Sequence, residues 1–98
     1  MKRILLACNA EMSTSILLKK MQDYIFEDDL DLEVKAVSIN EAKLIGNEWN
    51  IVLIGPQVAF ELDELKSVLN VPVFVIDQDD YAKANGKALL TFASENWK

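Results

Sequence analysis

Four short apolar runs punctuate the chain: Ile4–Ala7, Leu32–Val37, Ile51–Ile54 and Val73–Ile76. The first, third and fourth are nearly unbroken and rich in isoleucine, leucine and valine. That is the pattern of strands buried on both faces of a parallel sheet. The second run alternates. Leu30, Leu32, Val34 and Ala36 are apolar, with Asp31, Glu33 and Lys35 between them. One covered face and one wet face predict an edge strand.

Between the runs the period becomes helical. Leu17, Leu18, Met21 and Ile25 share one apolar face, and Val58, Leu62, Leu65 and Leu69 share another. Residues 40–46 predict a short helix closed by Gly46 and Asn47. Residues 79–95 predict one last helix, with Asn85 and Gly86 inside it. No repeat, low-complexity tract or linker interrupts the order β-α-β-α-β-α-β-α. Right-handed crossovers then predict an α/β fold of the flavodoxin-like kind. It is a three-layer sandwich: a four-stranded parallel sheet in the order 2-1-3-4, with helices on both faces. Residues 1–98 read as one domain. In such a sheet ligand chemistry belongs at the carboxyl ends of the first and third strands, where the strand order reverses. Those ends are Cys8 onward and Gly55-Pro56-Gln57.

Composition narrows what the site can be. The formal net charge is −6, and no basic stripe is present to neutralise phosphates, so nucleic acid is not an expected partner. Histidine is absent, which removes the commonest general base and metal ligand. Glu27-Asp28-Asp29 and Asp79-Asp80 lack calcium-loop spacing and read as solvated turns, so no metal is expected. A single cysteine forms no internal disulfide and points to a reducing, cytoplasmic setting. The apolar run after Lys2 and Arg3 is too short for a signal-peptide core, and no stretch approaches a membrane span.

The stretch CNAEMSTS, residues 8–15, carries the candidate chemistry. A helix is expected about six residues beyond Cys8, with Ser13, Thr14 or Ser15 as its N-cap. Loop amides and the helix dipole would then form an anion cradle. A thiol there ionises readily, and the same cradle would hold a phosphoryl group on the sulfur. The residues alone leave two readings open, because a lone cysteine after a strand is often a small buried hydrophobe. A cysteine-based phosphatase resembling the low-molecular-weight kind would need an arginine in this loop to clamp phosphate. Residues 8–15 contain no basic residue. A loop that holds phosphate moderately suits a carrier better than a hydrolase.

Three stretches, ILLACNAEMSTSILLKKM, IVLIGPQVAF and VFVIDQDDYAKANG, resemble the IIB component of the lactose/cellobiose class of the bacterial sugar phosphotransferase system. The resemblance runs over essentially the whole chain. It implies a phosphoryl carrier that takes its phosphate from a phosphohistidine of the IIA component onto Cys8. The group then passes to a sugar bound by the membrane component IIC. It implies no cofactor, and a location on the inner face of the membrane through IIC, without insertion. Phosphate-binding candidates are Asn9, Ala10, Glu11, Met12, Ser13, Thr14 and Ser15, with Gln57 from the neighbouring loop. Gln57 reads equally as a helix cap. Met12, Val58, Ala59 and Phe60 are candidates for an apolar partner rim.

The chain departs from the family's pattern at two places. Glu11 stands where glycine is usual, and glycine there allows positive φ and close approach to phosphate. Glu11 is expected to face solvent and to weaken phosphocysteine formation without abolishing it; a regulatory paralogue with an impaired loop is the alternative. Phe60 stands where tyrosine is frequent, and core packing is its simpler reading. Asp77 reads as a turn or cap residue, and Tyr81 as an interface or core residue.

Overall fold

The computed structural model describes residues 1–8 and 11–98, with the side chains of all of these except 11–14. The four apolar runs become the parallel strands β1 (Lys2–Ala7), β2 (Leu32–Val37), β3 (Ile51–Ile54) and β4 (Val73–Val75). They form one sheet in the order β2-β1-β3-β4. In register, Ile4 stands beside both Val34 and Ile51, and Ile54 beside Val75.

Alternation along the central strands feeds two cores. Ile4 and Leu6 of β1, with Ile51 and Leu53 of β3, face helices α1 (Glu11–Glu27) and α5 (Gly86–Asn96), where Leu17, Met21 and Leu89 meet them. Leu5, Ala7, Val52 and Ile54 face the other way, toward α2 (Ile39–Ile45) and α3 (Leu62–Val68), where Ala42, Leu65 and Leu69 cover them. A strand buried on both faces cannot alternate in polarity, which is why these runs are continuous. Each fully buried aliphatic side chain contributes about 1.5–3 kcal/mol. In β2 only Val34 is fully buried, as an edge strand requires. β4 occupies the opposite edge, and its Phe74 and Val75 are half-buried rather than covered on both faces as their apolar run predicts.

Helix ends depart from the sequence expectations in instructive ways. The segment expected as one helix over 79–95 is two, α4 (Gln78–Ala82) and α5. Ala84 separates them with φ 50°. Its N–H reaches the carbonyl of Tyr81, and that of Asn85 the carbonyl of Asp80. This is a Schellman closure built on alanine instead of glycine, so composition conceals it. Asn85 then caps α5 through Ala88 N at 3.2 Å. The same closure ends α1, with Asp29 at φ 52° and Leu30 N bonded to Ile25 O. Gly46 does not stop the helix before it in a left-handed turn. Its φ is −58° and the chain runs on as a 3-10 turn over Gly46–Glu48. The helix after β3 begins as a 3-10 turn, Pro56–Glu61, before α3.

One contact ties the first and last helices together. A Cβ on Gly86 would lie 2.9 Å from the backbone nitrogen of Met21 and 3.0 Å from the carbonyl carbon of Lys20. The start of α5 therefore rests directly on the backbone of α1.

Candidate functional site

At the carboxyl edge of the sheet three chain segments converge. Cys8 extends β1 by one residue, its N–H bonded to Val37 O at 3.1 Å. Gly55 extends β3, its N–H bonded to Ala7 O at 3.0 Å. Ile76 extends β4, its N–H bonded to Ile54 O at 2.8 Å. This is the reversal point of strand order, where an open α/β sheet offers a crevice.

Gly55 has an ordinary φ of −64°, so its role is space. A Cβ there would stand 3.1 Å from Cys8 Sγ and 2.9 Å from Gln57 Oε1. Only glycine lets the loop after β3 pass this close to the thiol without displacing it. From the third segment, the Tyr81 hydroxyl lies 3.8 Å from Cys8 Sγ. Asp77 fixes that tyrosine's helix, because its carboxylate accepts from Asp79 N at 3.1 Å and Asp80 N at 3.2 Å. Asp77 is thus a cap, as its place at a strand end predicts.

Tyr81, which contacts the thiol, borders a cavity of about 370 Å³, lined among the described residues by Pro56, Gln57, Gln78, Tyr81 and Ala82. None of these side chains is charged. Its polar groups are two amides and a phenol, neutral donors and acceptors.

Whichever of its two readings holds, the sulfur is buried: Cys8 is only 2% exposed. It continues the β1 ladder and is flanked by Gly55 and Tyr81, so it stays inside the sheet's edge. The helix start is corrected. α1 begins at Glu11, so Ser13, Thr14 and Ser15 lie within its first turns and none is the N-cap. The stretch Ala-Glu-Met favours helix more than the following hydroxyl residues favour a cap. Only residues 9 and 10 separate the thiol from α1, which keeps the positive end of a 17-residue helix close by. The first position of a helix takes right-handed φ and ψ open to every L-residue. A glycine is therefore not needed at 11 for a left-handed backbone.

Asn9 and Ala10 lie outside the described residues, as do the side chains of Glu11, Met12, Ser13 and Thr14. Ser15 is exposed. Gln57 is exposed, and neither the 3-10 turn nor α3 takes a side-chain cap, which leaves the capping reading without support. Val58, expected on the rim, is buried at 2% beneath α3. It is the apolar residue that seats the 3-10 turn. Ala59 is exposed. Phe60 is 75% exposed, not packed in the core. Sequence reasoning did not place Tyr81 and Gln78 at this edge, where both line the cavity and Tyr81 reaches Cys8. The available signal was topological: in the order 2-1-3-4 the loop after the fourth strand opens onto the same edge as Gly55. Among the described residues no group of three His, Cys, Asp or Glu could hold a metal ion. Among the same residues no helix is long and apolar enough to cross a membrane.

Comparison with known proteins agrees with this arrangement. Residues 3–92 match the family described as "PTS system, Lactose/Cellobiose specific IIB subunit". The chain is 42% identical over 90 residues to the oligo-beta-mannoside-specific EIIB component of Bacillus subtilis (strain 168), covering 89% of this chain and 87% of that protein. It is 39% identical over 103 residues to the galactose-specific EIIB component of Lactococcus lactis subsp. cremoris (strain MG1363), covering 97% and 94%. Among solved structures, the cellobiose-specific IIB component of Borrelia burgdorferi superposes with a TM-score of 0.81 at 27% identity, covering 96% and 89%. The lactose-specific IIB domain of Streptococcus pneumoniae gives 0.84 at 16% identity, covering 99% and 98%, a likeness of fold. A strand-end cysteine at the switch point, a glycine beside it and this sheet order are thus found in a chain that belongs to the lactose/cellobiose-specific IIB family of the phosphotransferase system, whose members are phosphotransferase components.

Proposed function

We propose that this protein carries a phosphoryl group on Cys8 Sγ. It takes the group from a phosphohistidine of a IIA component and delivers it to a hydroxyl of a sugar held by a IIC component. In the first step the thiolate attacks phosphorus. The phosphorus–nitrogen bond breaks and its electron pair returns to the imidazole. In the second, a sugar oxygen attacks, the sulfur–phosphorus bond breaks, and the thiolate is restored while the hydroxyl proton leaves to a base on the acceptor side.

The observation that carries the reading is the convergence at Sγ. The thiol ends the strand at the switch point, beside a glycine that makes room and close to the positive end of α1. The cavity lined by Gln57, Gln78 and Tyr81 adjoins the thiol through Tyr81, whose hydroxyl lies 3.8 Å from Sγ. Because Cys8 is 2% exposed, docking of a partner must uncover it further. The lack of a lysine or arginine on that cavity favours carriage over hydrolysis: a guanidinium clamp would hold phosphate and stabilise attack by water. Phe60, with Ala59 beside it, and Ile16 on α1, 63% exposed, offer apolar contacts to two successive partners. Such contacts need only a small, brief interface.

The test is intact-protein mass after incubation with phosphoenolpyruvate and the upstream phosphotransfer proteins. The native chain gains one phosphoryl group, and Cys8→Ser gains none that is stable. A native chain that stays unlabelled ends the proposal.

A further inference from the structure

We propose that Tyr81 and Gln78, on the short helix after β4, form with Gln57 the wall that holds the phosphoryl group while it rides on the sulfur. This rests on the carrier reading above and adds to it two residues and a side of approach.

Tyr81 is separated from Cys8 by 73 positions, yet its hydroxyl stands 3.8 Å from Sγ. The phenol ring is packed against the core formed by β1, α1 and α5, which fixes its direction. The hydroxyl is therefore placed, not merely nearby. The same residue lines the cavity, together with the amide-bearing Gln57 and Gln78. A phosphoryl oxygen carried on Cys8 would stand within reach of the Tyr81 hydroxyl, which lies 3.8 Å from the sulfur that bears it. A phenol O–H and two amide N–H groups can donate to it, and none of them carries a charge. Hydrogen bonds to an anion are worth more than those between neutral groups. Neutral donors still let the group go, as a carrier must. In the unloaded protein the Tyr81 hydroxyl and the Cys8 sulfur are paired, and either can donate.

Gln78 opens the helix that Asp77 caps. That carboxylate takes the Asp79 and Asp80 amides and is engaged with its own helix. Asp77 is thereby bound to backbone donors, and it is not among the described residues that line the cavity.

The experiment compares the native chain with Tyr81→Phe, which keeps the ring, and with Gln78→Ala. Two readouts are taken: the equilibrium of phosphate between IIA and Cys8, and the 31P chemical shift of the phosphocysteine. Tyr81→Phe is expected to move the equilibrium toward the phosphohistidine by roughly tenfold, the size of one hydrogen bond to a charged group. It also displaces the 31P resonance. Gln78→Ala moves the equilibrium in the same direction by less. If the native chain is labelled on Cys8 and Tyr81→Phe leaves both equilibrium and 31P shift unchanged, the proposed wall is wrong while the carrier reading stands. A native chain that takes no label overturns both.

Discussion

The two ends of the sheet are built from different materials. At the amino end of β1, Arg3 lies 4.2 Å above the Trp49 ring, pairs with Glu33 at 3.3 Å and donates to Glu48 O at 3.0 Å. Asn50 accepts from Arg3 N and donates to Lys98 O, which also accepts from Lys2 Nζ. Charge there is matched by charge, carbonyl or ring, and the backbone ends are tied. At the carboxyl end of the same strand, among the described residues, a phenol stands by Cys8 and two amides line the adjoining cavity, and a glycine stands where a side chain would fill the space. One end closes the sheet. The other leaves space beside the thiol, which under the carrier reading a phosphoryl group would enter. A parallel sheet makes this division natural, because all strands point their carboxyl ends to one side.

Substitutions at each end should separate these roles. Gly55→Val places bulk against Sγ and Gln57 and is expected to slow labelling of Cys8 by at least about tenfold, with an overpacking cost of roughly 1–3 kcal/mol. Labelling kinetics and a urea midpoint measured together check it; labelling at the native rate would mean that the space beside the thiol is unused. Arg3→Ala acts at the closed end. It loses a cation–π contact and a partly exposed ion pair, together about 1 kcal/mol. The urea midpoint should fall while the labelling rate holds. A loss of labelling instead would show the two ends to be coupled. Phe60→Ala is the mildest. A residue this exposed changes stability by no more than about 0.5 kcal/mol, and its effect belongs to docking. The apparent KM for the phosphorylated IIA donor should rise roughly threefold, below the level of an interface hot spot. An unchanged KM would remove Phe60 from the partner surface.

Much of this was legible before any coordinates. β1 and β3 announce themselves because both their faces are buried, and β2 because only one is. The strand order and the switch point follow, and with them Cys8 and Gly55. Helix boundaries were harder to see. Ser13, Thr14 and Ser15 look like caps, yet the helix takes them in. Ala84 looks like a helix interior residue, yet it adopts a left-handed backbone at a cost of about 1–2 kcal/mol because the chain must turn there to place α5. Val58 is buried as its helical spacing with Leu65 and Leu69 predicts, not on the rim, while Phe60 is exposed where core packing was its simpler reading. Tyr81 was the least visible. Its link to Cys8 depends on how α4 leaves the sheet, and no periodicity encodes that.

The seam at Gly86 has a consequence for how this protein tolerates change. The missing side chain lets α5 lie against the backbone of α1, and α5 in turn packs on α4, which bears Tyr81. The helix that starts beside the thiol and the helix that presents the phenol are thus mounted on one shared bracket. Crowding that seam would swing the tyrosine off its mark while the sheet beneath stayed intact. The molecule would keep its shape and lose its aim.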